Sequence, residues 1–202
     1  MLHKYLKPSS LTLLVLPLLL AACGSTVQPK YYLLTPDNST SVSSPQKQLL
    51  ISVGPVSLPA YLDRSQIVTR RGDIELDMAD AHRWAEPLQK NFSRVLAEDL
   101  NNQMGAGKVI VWPAKEFAPV DYRVAVNVER FDSTDQGDVL LVATWSIYDG
   151  KVTGTLESQR SEYRLDIGPD PAYPDLVTAL SRTVNLLSKD IFKAINDIKH
   201  PE

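Results

Sequence analysis

The residue with the clearest chemical use is Cys23, the only cysteine in the 202-residue chain. It lies where an apolar run of 12 residues, 11–22, ends, and Lys4 and Lys7 precede that run. A basic start, an apolar stretch and small residues at its end are the layout of a signal peptide, and 12 residues are too few to span a bilayer. The sequence therefore predicts that residues 1–22 are removed on export and that Cys23 becomes the first residue.

The segment Leu20-Ala21-Ala22-Cys23 resembles a bacterial lipobox, in which the cysteine sulfur carries diacylglycerol after cleavage between Ala22 and Cys23. Acyl chains contribute about 0.8 kcal/mol per buried methylene, so two or three chains hold a protein firmly on a bilayer. A buried structural thiol is the alternative, but it does not explain the charge, length and small residues before Cys23. In enterobacterial-type lipoproteins an Asp after the cysteine retains the protein at the inner membrane, so Gly24 predicts an outer-membrane address.

Other groupings that could do chemistry are sparse. After cleavage the histidines are His82 and His200, and neither has a second histidine or a cysteine at metal-ligand spacing. Asp77 and Asp80 are too few carboxylates for calcium, and the sequence contains no phosphate-binding glycine loop and no nucleophile elbow. A hydrolase built around His82 is a minor alternative. We expect no catalytic residue, no metal and no cofactor, with His82 a solvated or hydrogen-bonded loop residue.

A mixture of arginine and apolar residues marks a predicted hairpin over 66–78, flanked by Arg64, Arg70 and Arg71. Solvated strand ends explain these arginines, and contact with an acidic partner is the alternative interpretation. Arginine and apolar side chains together are typical of interfaces. Trp84 is more often a core residue than a ligand platform. The candidate partner-binding residues are Arg64, Arg70, Arg71 and Trp84.

The periodicity of the remaining sequence predicts an α+β domain. Apolar residues recur at helical spacing after Pro87 and again from Leu176 to Ile198, whereas residues 122–128 alternate as in a half-buried strand. We expect a two-layer domain, with a largely antiparallel sheet and two helices packed on one of its faces. The predicted elements are strands over 31–34, 49–56, 66–78 and 109–112, a helix after Pro87, three strands within 122–167, and a closing helix.

The sequence predicts that the chain has three parts. Residues 1–22 are the predicted signal peptide, residues 23–30 the lipidated cysteine with a short tether, and residues 31–202 a single periplasmic domain. The seven residues from Gly24 to Lys30 reach roughly 25 Å at most, so the domain stays close to the bilayer. The full chain has a net charge of −3, which excludes a domain-wide basic field for nucleic acid. Its membrane contact is expected through the acyl chains on Cys23.

Three segments carry a family resemblance. The segments "KYYLLTP", "VGPVSLPAYLDRSQIVTR" and "RWAEPLQKNFSRVLAEDL" resemble the PqiC-type lipoproteins, the auxiliary lipoprotein component of ABC-type or MCE-type transport systems. The resemblance runs through most of residues 23–200, and its most specific part is the block from Trp84 to Leu88. Glu86 departs from the better helix cap that a Ser would give before Pro87, which affects only local helix stability.

This resemblance implies a function. It implies a periplasmic domain on the outer membrane that works with an MCE-domain protein and an integral membrane subunit, on phospholipid or another hydrophobic cargo. A homo-oligomeric ring would match the cyclic symmetry of a tunnel mouth. We expect a non-enzymatic docking lipoprotein of an intermembrane lipid-transport system. A pilotin-like or assembly lipoprotein of another envelope complex is the alternative, ahead of a lipid-anchored hydrolase.

Overall fold

The structure, a computed structural model, describes residues 27–39, 49–105, 108–113 and 119–199. The predictions for Ala22, Cys23 and Gly24 lie outside these residues. Within them, eight strands form one mixed sheet, and two helices pack together against one face of it. The predicted α+β class is therefore confirmed. The elements are β1 Lys30–Tyr32, β2 Leu50–Ser57, β3 Gln66–Arg71, β4 Glu75–Trp84, α1 Leu88–Met104, β5 Lys108–Val111, β6 Tyr122–Ser133, β7 Asp138–Asp149, β8 Thr155–Asp166 and α2 Tyr173–Lys199.

The sheet combines long antiparallel ladders with shorter parallel ones. The two longest ladders, β6–β7 and β7–β8, are antiparallel, as is the β3–β4 hairpin. Strand β2 is parallel to both of its neighbours, β5 and β6, and β1 is parallel to β4. Local periodicity carries no information about these distant partners, so the sequence did not indicate the parallel ladders.

Strand β2 is also bent. Its register against β6 shifts between Val53 and Val56, so the strand carries a bulge at Gly54-Pro55. Gly54 has a φ of +126°, a backbone conformation open to glycine and strained for other residues.

The two helices follow the predicted stripes. All five stripe residues of α1 are buried, and α1 ends at Gly105, whose φ of +66° suits glycine after a helix. The stripe of α2 is buried as far as Ile195, with Ile198 partly buried. Because both apolar stripes meet the same sheet face, one continuous core forms. The stripe residues of α1 are Leu88, Phe92, Val95, Leu96 and Leu100.

Strands β6 and β7 form the centre of the core. Val124, Val126 and Val128 on β6 are buried, which confirms the predicted alternation. Strand β7 is buried on both faces over 139–143, where its sequence is a continuous apolar run. Strand β8 is mostly exposed and charged, which is how natural edge strands limit unwanted pairing.

Candidate functional site

The β3–β4 hairpin predicted from the sequence is present, and its second strand is longer than expected. The strands pair in an antiparallel register that joins Thr69 with Asp77 and Arg71 with Glu75. The turn over 72–74 contains Gly72 at a φ of +59°, which favours glycine. Beyond the turn, β4 continues to Trp84, so that one strand connects the turn to the start of α1.

A fully buried carboxylate holds the base of this hairpin. Asp132 on β6 accepts hydrogen bonds from the Nη2 atom of Arg70 at 3.1 Å and from the Nε atom of Arg130 at 3.0 Å. The hydroxyl of Tyr61 donates to the same carboxylate at 3.3 Å. The guanidinium of Arg70 also lies 5.6 Å from the centre of the Tyr61 ring, within cation–π distance. Three groups from separate chain segments therefore converge on one carboxylate.

The pKa shifts within this ion cluster follow from its burial and charge. Burial opposes the charged form of Arg70, but the hydrogen bond and the charge of Asp132 prevail and raise the pKa of Arg70 above its usual value. Burial, and then the negative charge of Asp132, raise the pKa of Tyr61. Arg70 thus stays protonated and Tyr61 stays a neutral hydrogen-bond donor at any physiological pH.

The structure gives the three candidate arginines different surroundings. Arg70 is paired inside the protein with Asp132, which the interpretation as a solvated strand end did not foresee. Arg71 has a side chain that is 63% exposed, and it pairs with Asp77 at 2.8 Å and with Glu75 at 3.9 Å. Arg64 is partly buried, and its Nη1 atom contacts the sulfur of Met78 on the neighbouring strand. Arg71 therefore remains accessible on the hairpin and Arg64 is only partly accessible beside it, whereas Arg70 fixes the base of the hairpin.

The fourth candidate partner-binding residue, Trp84, is only 5% exposed and belongs to the hydrophobic core. It ends β4, pairs with Tyr32 of β1, and its backbone N–H donates to Ser65. This burial agrees with the interpretation of Trp84 as a core residue under the helix start. A partner could reach its ring only after local unfolding.

The prediction that His82 is a loop residue is wrong. His82 lies within β4, opposite Lys30 of β1. Its Nδ1 atom shares a hydrogen bond of 2.8 Å with the Tyr32 hydroxyl, and its ring stacks on Tyr173 with centroids 3.7 Å apart. Burial, and then the charge of Lys30, lower the pKa of His82, so the imidazole is neutral at pH 7. The apolar residues before the helix do not alternate regularly, so the sequence did not indicate that β4 extends to Trp84.

A shallow cleft of about 370 Å³ adjoins the hairpin. It lies between the outer part of the hairpin, the β6–β7 turn and the start of α2, with Arg71, Asp135, Asp170 and Tyr173 among its lining residues. Across the described ranges, no group of three or more His, Cys, Asp or Glu side chains is placed to hold a metal ion. No helix within those ranges is both long and apolar enough to cross a membrane.

Sequence reasoning missed Asp132 and Arg130, the two residues that complete the ion cluster. The available signal was a charge inside a strand pattern, because Asp132 lies between Phe131 and Ser133 near the end of β6. A buried charge in a strand needs a partner, and the nearby arginines of β3 were the candidates. The long separation in sequence prevented that pairing from being recognised.

The model of the family described as the ABC-type transport auxiliary lipoprotein component matches residues 31–192. The chain belongs to this family. That span contains every described strand except the first residue of β1, together with α1 and most of α2. The family match confirms the resemblance to PqiC-type lipoproteins and makes the chain an auxiliary lipoprotein of a transport system.

Individual relatives and solved structures agree with this assignment. The chain is 26% identical over 128 residues to the intermembrane transport lipoprotein PqiC of Escherichia coli (strain K12). This alignment covers 62% of this chain and 67% of the relative. The PqiC of Shigella flexneri matches to the same extent. The crystal structure of an uncharacterized protein, 23% identical, superimposes with a TM-score of 0.69 over 83% of this chain and 99% of that one. A protein from Xanthomonas campestris, 14% identical, gives a TM-score of 0.68 over 83% and 98%. At these identities the structures show a shared fold.

Proposed function

We propose that the protein is an outer-membrane docking lipoprotein of an MCE-type intermembrane lipid-transport system and that it catalyses no reaction. The observation that carries this proposal is the family match over residues 31–192, which spans nearly the whole folded part of the chain. The similarity to an intermembrane transport lipoprotein favours a role between two membranes. Its cargo would be phospholipid or another hydrophobic molecule.

The anchor in this proposal is diacylglycerol on the sulfur of Cys23, after cleavage between Ala22 and Cys23. Gly24 then directs the protein to the outer membrane, with the domain on the periplasmic side. The lipobox pattern and the family description, which names a lipoprotein, support this part of the proposal. Serine lacks the sulfur nucleophile, so Cys23→Ser should remove the acyl chains and release the protein from the membrane.

The partners in this proposal are the MCE-domain protein and the integral membrane subunit of the same system, with a homo-oligomeric ring as the assembled form. The exposed side of the hairpin, with Arg64, Arg71 and Met78, is the proposed contact surface. These side chains combine charge with apolar area, and the ion cluster around Asp132 keeps the hairpin in one position. A fixed surface loses little conformational entropy when a partner binds.

The surroundings of His82 favour a structural role over catalysis. Its hydrogen-bond partner is the phenol of Tyr32, and one ring face is covered by Tyr173. A hydrolytic triad needs a serine or cysteine on one imidazole nitrogen and an orienting acceptor on the other. We therefore assign the trio of Tyr32, His82 and Tyr173 to the joint between β1, β4 and α2.

Purification from envelope extract tests the proposal. The acylated full-length protein should carry an MCE-domain protein with it, detected by mass spectrometry of the bound proteins and lipids. Cys23→Ser, which leaves the described domain unchanged, should lose most of this material because the protein leaves the membrane. His82→Gln should keep it, because the amide oxygen can still accept a hydrogen bond from the Tyr32 hydroxyl. Recovery of a secretion or assembly complex in place of an MCE-domain protein would contradict the transport role.

A further inference from the structure

The turn of the β3–β4 hairpin presents an isoleucine to solvent. Ile74 is 96% exposed and is the last residue of the turn over 72–74. Single exposed apolar residues are common on protein surfaces, so exposure alone assigns no role to Ile74. Its position relative to the membrane anchor is what distinguishes it.

The register between β1 and β4 fixes that position. The two strands are parallel, and Lys30 lies opposite His82. Glu75, the first residue of β4, precedes His82 by seven residues. Strand β4 is bulged where its register with β3 shifts, however, and the stretch from Glu75 to Arg83 lies opposite only the 6 residues of β3, which span about 17 Å at 3.3 Å per residue. Cys23 precedes Lys30 by the same seven residues, and that length of chain reaches about 25 Å at most. From the Lys30–His82 pair, the hairpin turn therefore lies within the reach of the acylated cysteine.

The direction of the chain also agrees. Because β1 and β4 are parallel, the residues that precede Lys30 leave the sheet on the side where β4 begins, which is the side of the turn. The β6–β7 turn lies at the same end, since the N–H of Gly72 donates to the Oδ2 atom of Asp135 at 3.0 Å. The end of the domain that faces the anchor is thus the end that carries Ile74.

The turn is held firmly in this position. Besides the bond from Gly72 to Asp135, the Nη1 atom of Arg70 donates to the carbonyl oxygen of Asp73 at 3.1 Å. Arg70 is itself fixed by Asp132 at the base of the hairpin. The turn therefore cannot fold back when the domain approaches a surface.

We propose that the hairpin turn, through Ile74, contacts the lipid surface of the leaflet in which Cys23 is anchored. This inference rests on the proposed acylation of Cys23. One isoleucine is too small to bind a free protein to a bilayer, but the short tether makes its contact intramolecular and keeps the local lipid concentration high. The contact uses Ile74 at the tip of the hairpin and leaves the side that carries Met78 accessible to the proposed partner.

The charges around the turn select the kind of lipid. Two arginines at this end are paired with carboxylates, Arg71 with Asp77 and Glu75 and Arg164 with Asp138. Asp73 and Asp135 add further negative charge. An acidic rim is repelled by anionic headgroups and tolerates zwitterionic ones. The surface that fits is therefore a zwitterionic bilayer.

A single-site fluorescence experiment tests the contact. In the acylated full-length protein Cys23 carries lipid, so Ile74→Cys supplies the one free thiol for a polarity-sensitive fluorophore. Leu156→Cys is the matched control, because Leu156 is also an exposed apolar residue, 43% exposed, and lies near the β7–β8 turn at the other end of the sheet. Both labelled proteins are reconstituted in phosphatidylcholine vesicles, with and without a nitroxide quencher carried on the lipid.

We expect a blue shift and at least threefold stronger quenching at position 74 than at position 156, with less quenching when one fifth of the lipid is phosphatidylglycerol. Flotation of the vesicles tests the anchor at Cys23 separately from the contact of Ile74 with lipid. If the protein floats but position 74 is quenched no more than position 156, the inference about the turn is overturned while the anchor stands. If the protein with an intact Cys23 does not float, the anchor fails and this inference fails with it.

Discussion

Two buried carboxylates give the hairpin region and the helix layer different properties. Asp132, beneath the hairpin, is 0% exposed, and Asp99, on α1, is 1% exposed. Asp132 is paired with the two guanidinium groups of Arg70 and Arg130. Among the ion pairs of the described ranges none includes Asp99, whose Oδ1 atom accepts the backbone N–H of Asp37 at 2.7 Å.

The two carboxylates differ in what holds them. Two guanidinium groups hold Asp132, whereas Asp99 is held by hydrogen bonds and has a raised pKa. Burial raises the pKa of Asp99 to about 6, although the hydrogen bonds from Asp37 and Asn185 oppose that shift. Its contact holds the segment over 35–39 against α1, where Asn102 also donates to the carbonyl oxygen of Asp37 at 3.2 Å. An ion cluster fixes the hairpin, whereas the attachment of the segment near Asp37 depends on the protonation of Asp99.

The largest effect is expected from breaking the ion cluster. Asp132→Ala leaves the guanidinium groups of Arg70 and Arg130 close together, partly buried and without their shared counter-ion. Loss of one partner from a buried charge pair costs about 3–5 kcal/mol, so the free energy of unfolding should fall by that amount. Urea denaturation of the non-acylated protein without residues 1–23 measures it.

Asp73→Ala is the matched control for this prediction. Asp73 lies in the exposed turn, and the contact with Arg70 uses its backbone oxygen, which the substitution keeps. Its effect should stay within about 0.5 kcal/mol. Equal losses of stability for the two variants would show that the cluster around Asp132 does not hold the hairpin.

A smaller effect is expected from the titration of Asp99. Its pKa in the folded protein is about 6, against an ordinary value of 3.8, so folding increases its proton affinity. The resulting stability is fully present below about pH 4 and is lost as the pH rises through 6. Between pH 5 and pH 8 the wild-type protein should lose about 1–2 kcal/mol more stability than Asp99→Asn, whose amide oxygen can still accept the Asp37 N–H.

Paired denaturation curves at several pH values check this difference. The comparison of the two proteins removes the contribution of all other titrating groups, because they are common to both. Stability profiles that run parallel from pH 5 to pH 8 would mean that Asp99 has an ordinary pKa and that the two carboxylates do not differ as described.

The smallest effect is expected at Arg71. Its side chain and those of Glu75 and Asp77 are largely exposed, and exposed ion pairs contribute little. Arg71→Ala should therefore change the free energy of unfolding by less than about 0.5 kcal/mol, while it weakens binding to a partner at the hairpin and reduces the salt dependence of association. A loss of stability similar to that of Asp132→Ala would place Arg71 in the structural cluster.

The sequence predicted the elements of this fold more fully than its contacts. The alternation of Val124, Val126 and Val128 and the helical stripes were visible because each is a local pattern with one period. Asp132 was missed because two of its three partners, Arg70 on β3 and Tyr61, lie some 60 to 70 residues away. His82 was placed in a loop because its strand is defined by pairing with β1, which a single sequence does not show.

The central claim is that the rigid hairpin is the docking surface of a transport lipoprotein. The direct test is photocrosslinking in intact cells from the exposed position 71 and the partly exposed position 64, with position 156 at the other end of the sheet as the control. We predict crosslinks from positions 64 and 71 to an MCE-domain protein or to a second copy of this chain, and few from position 156. If the folded protein gives no crosslink to any envelope protein from positions 64 and 71, the docking role of the hairpin is contradicted.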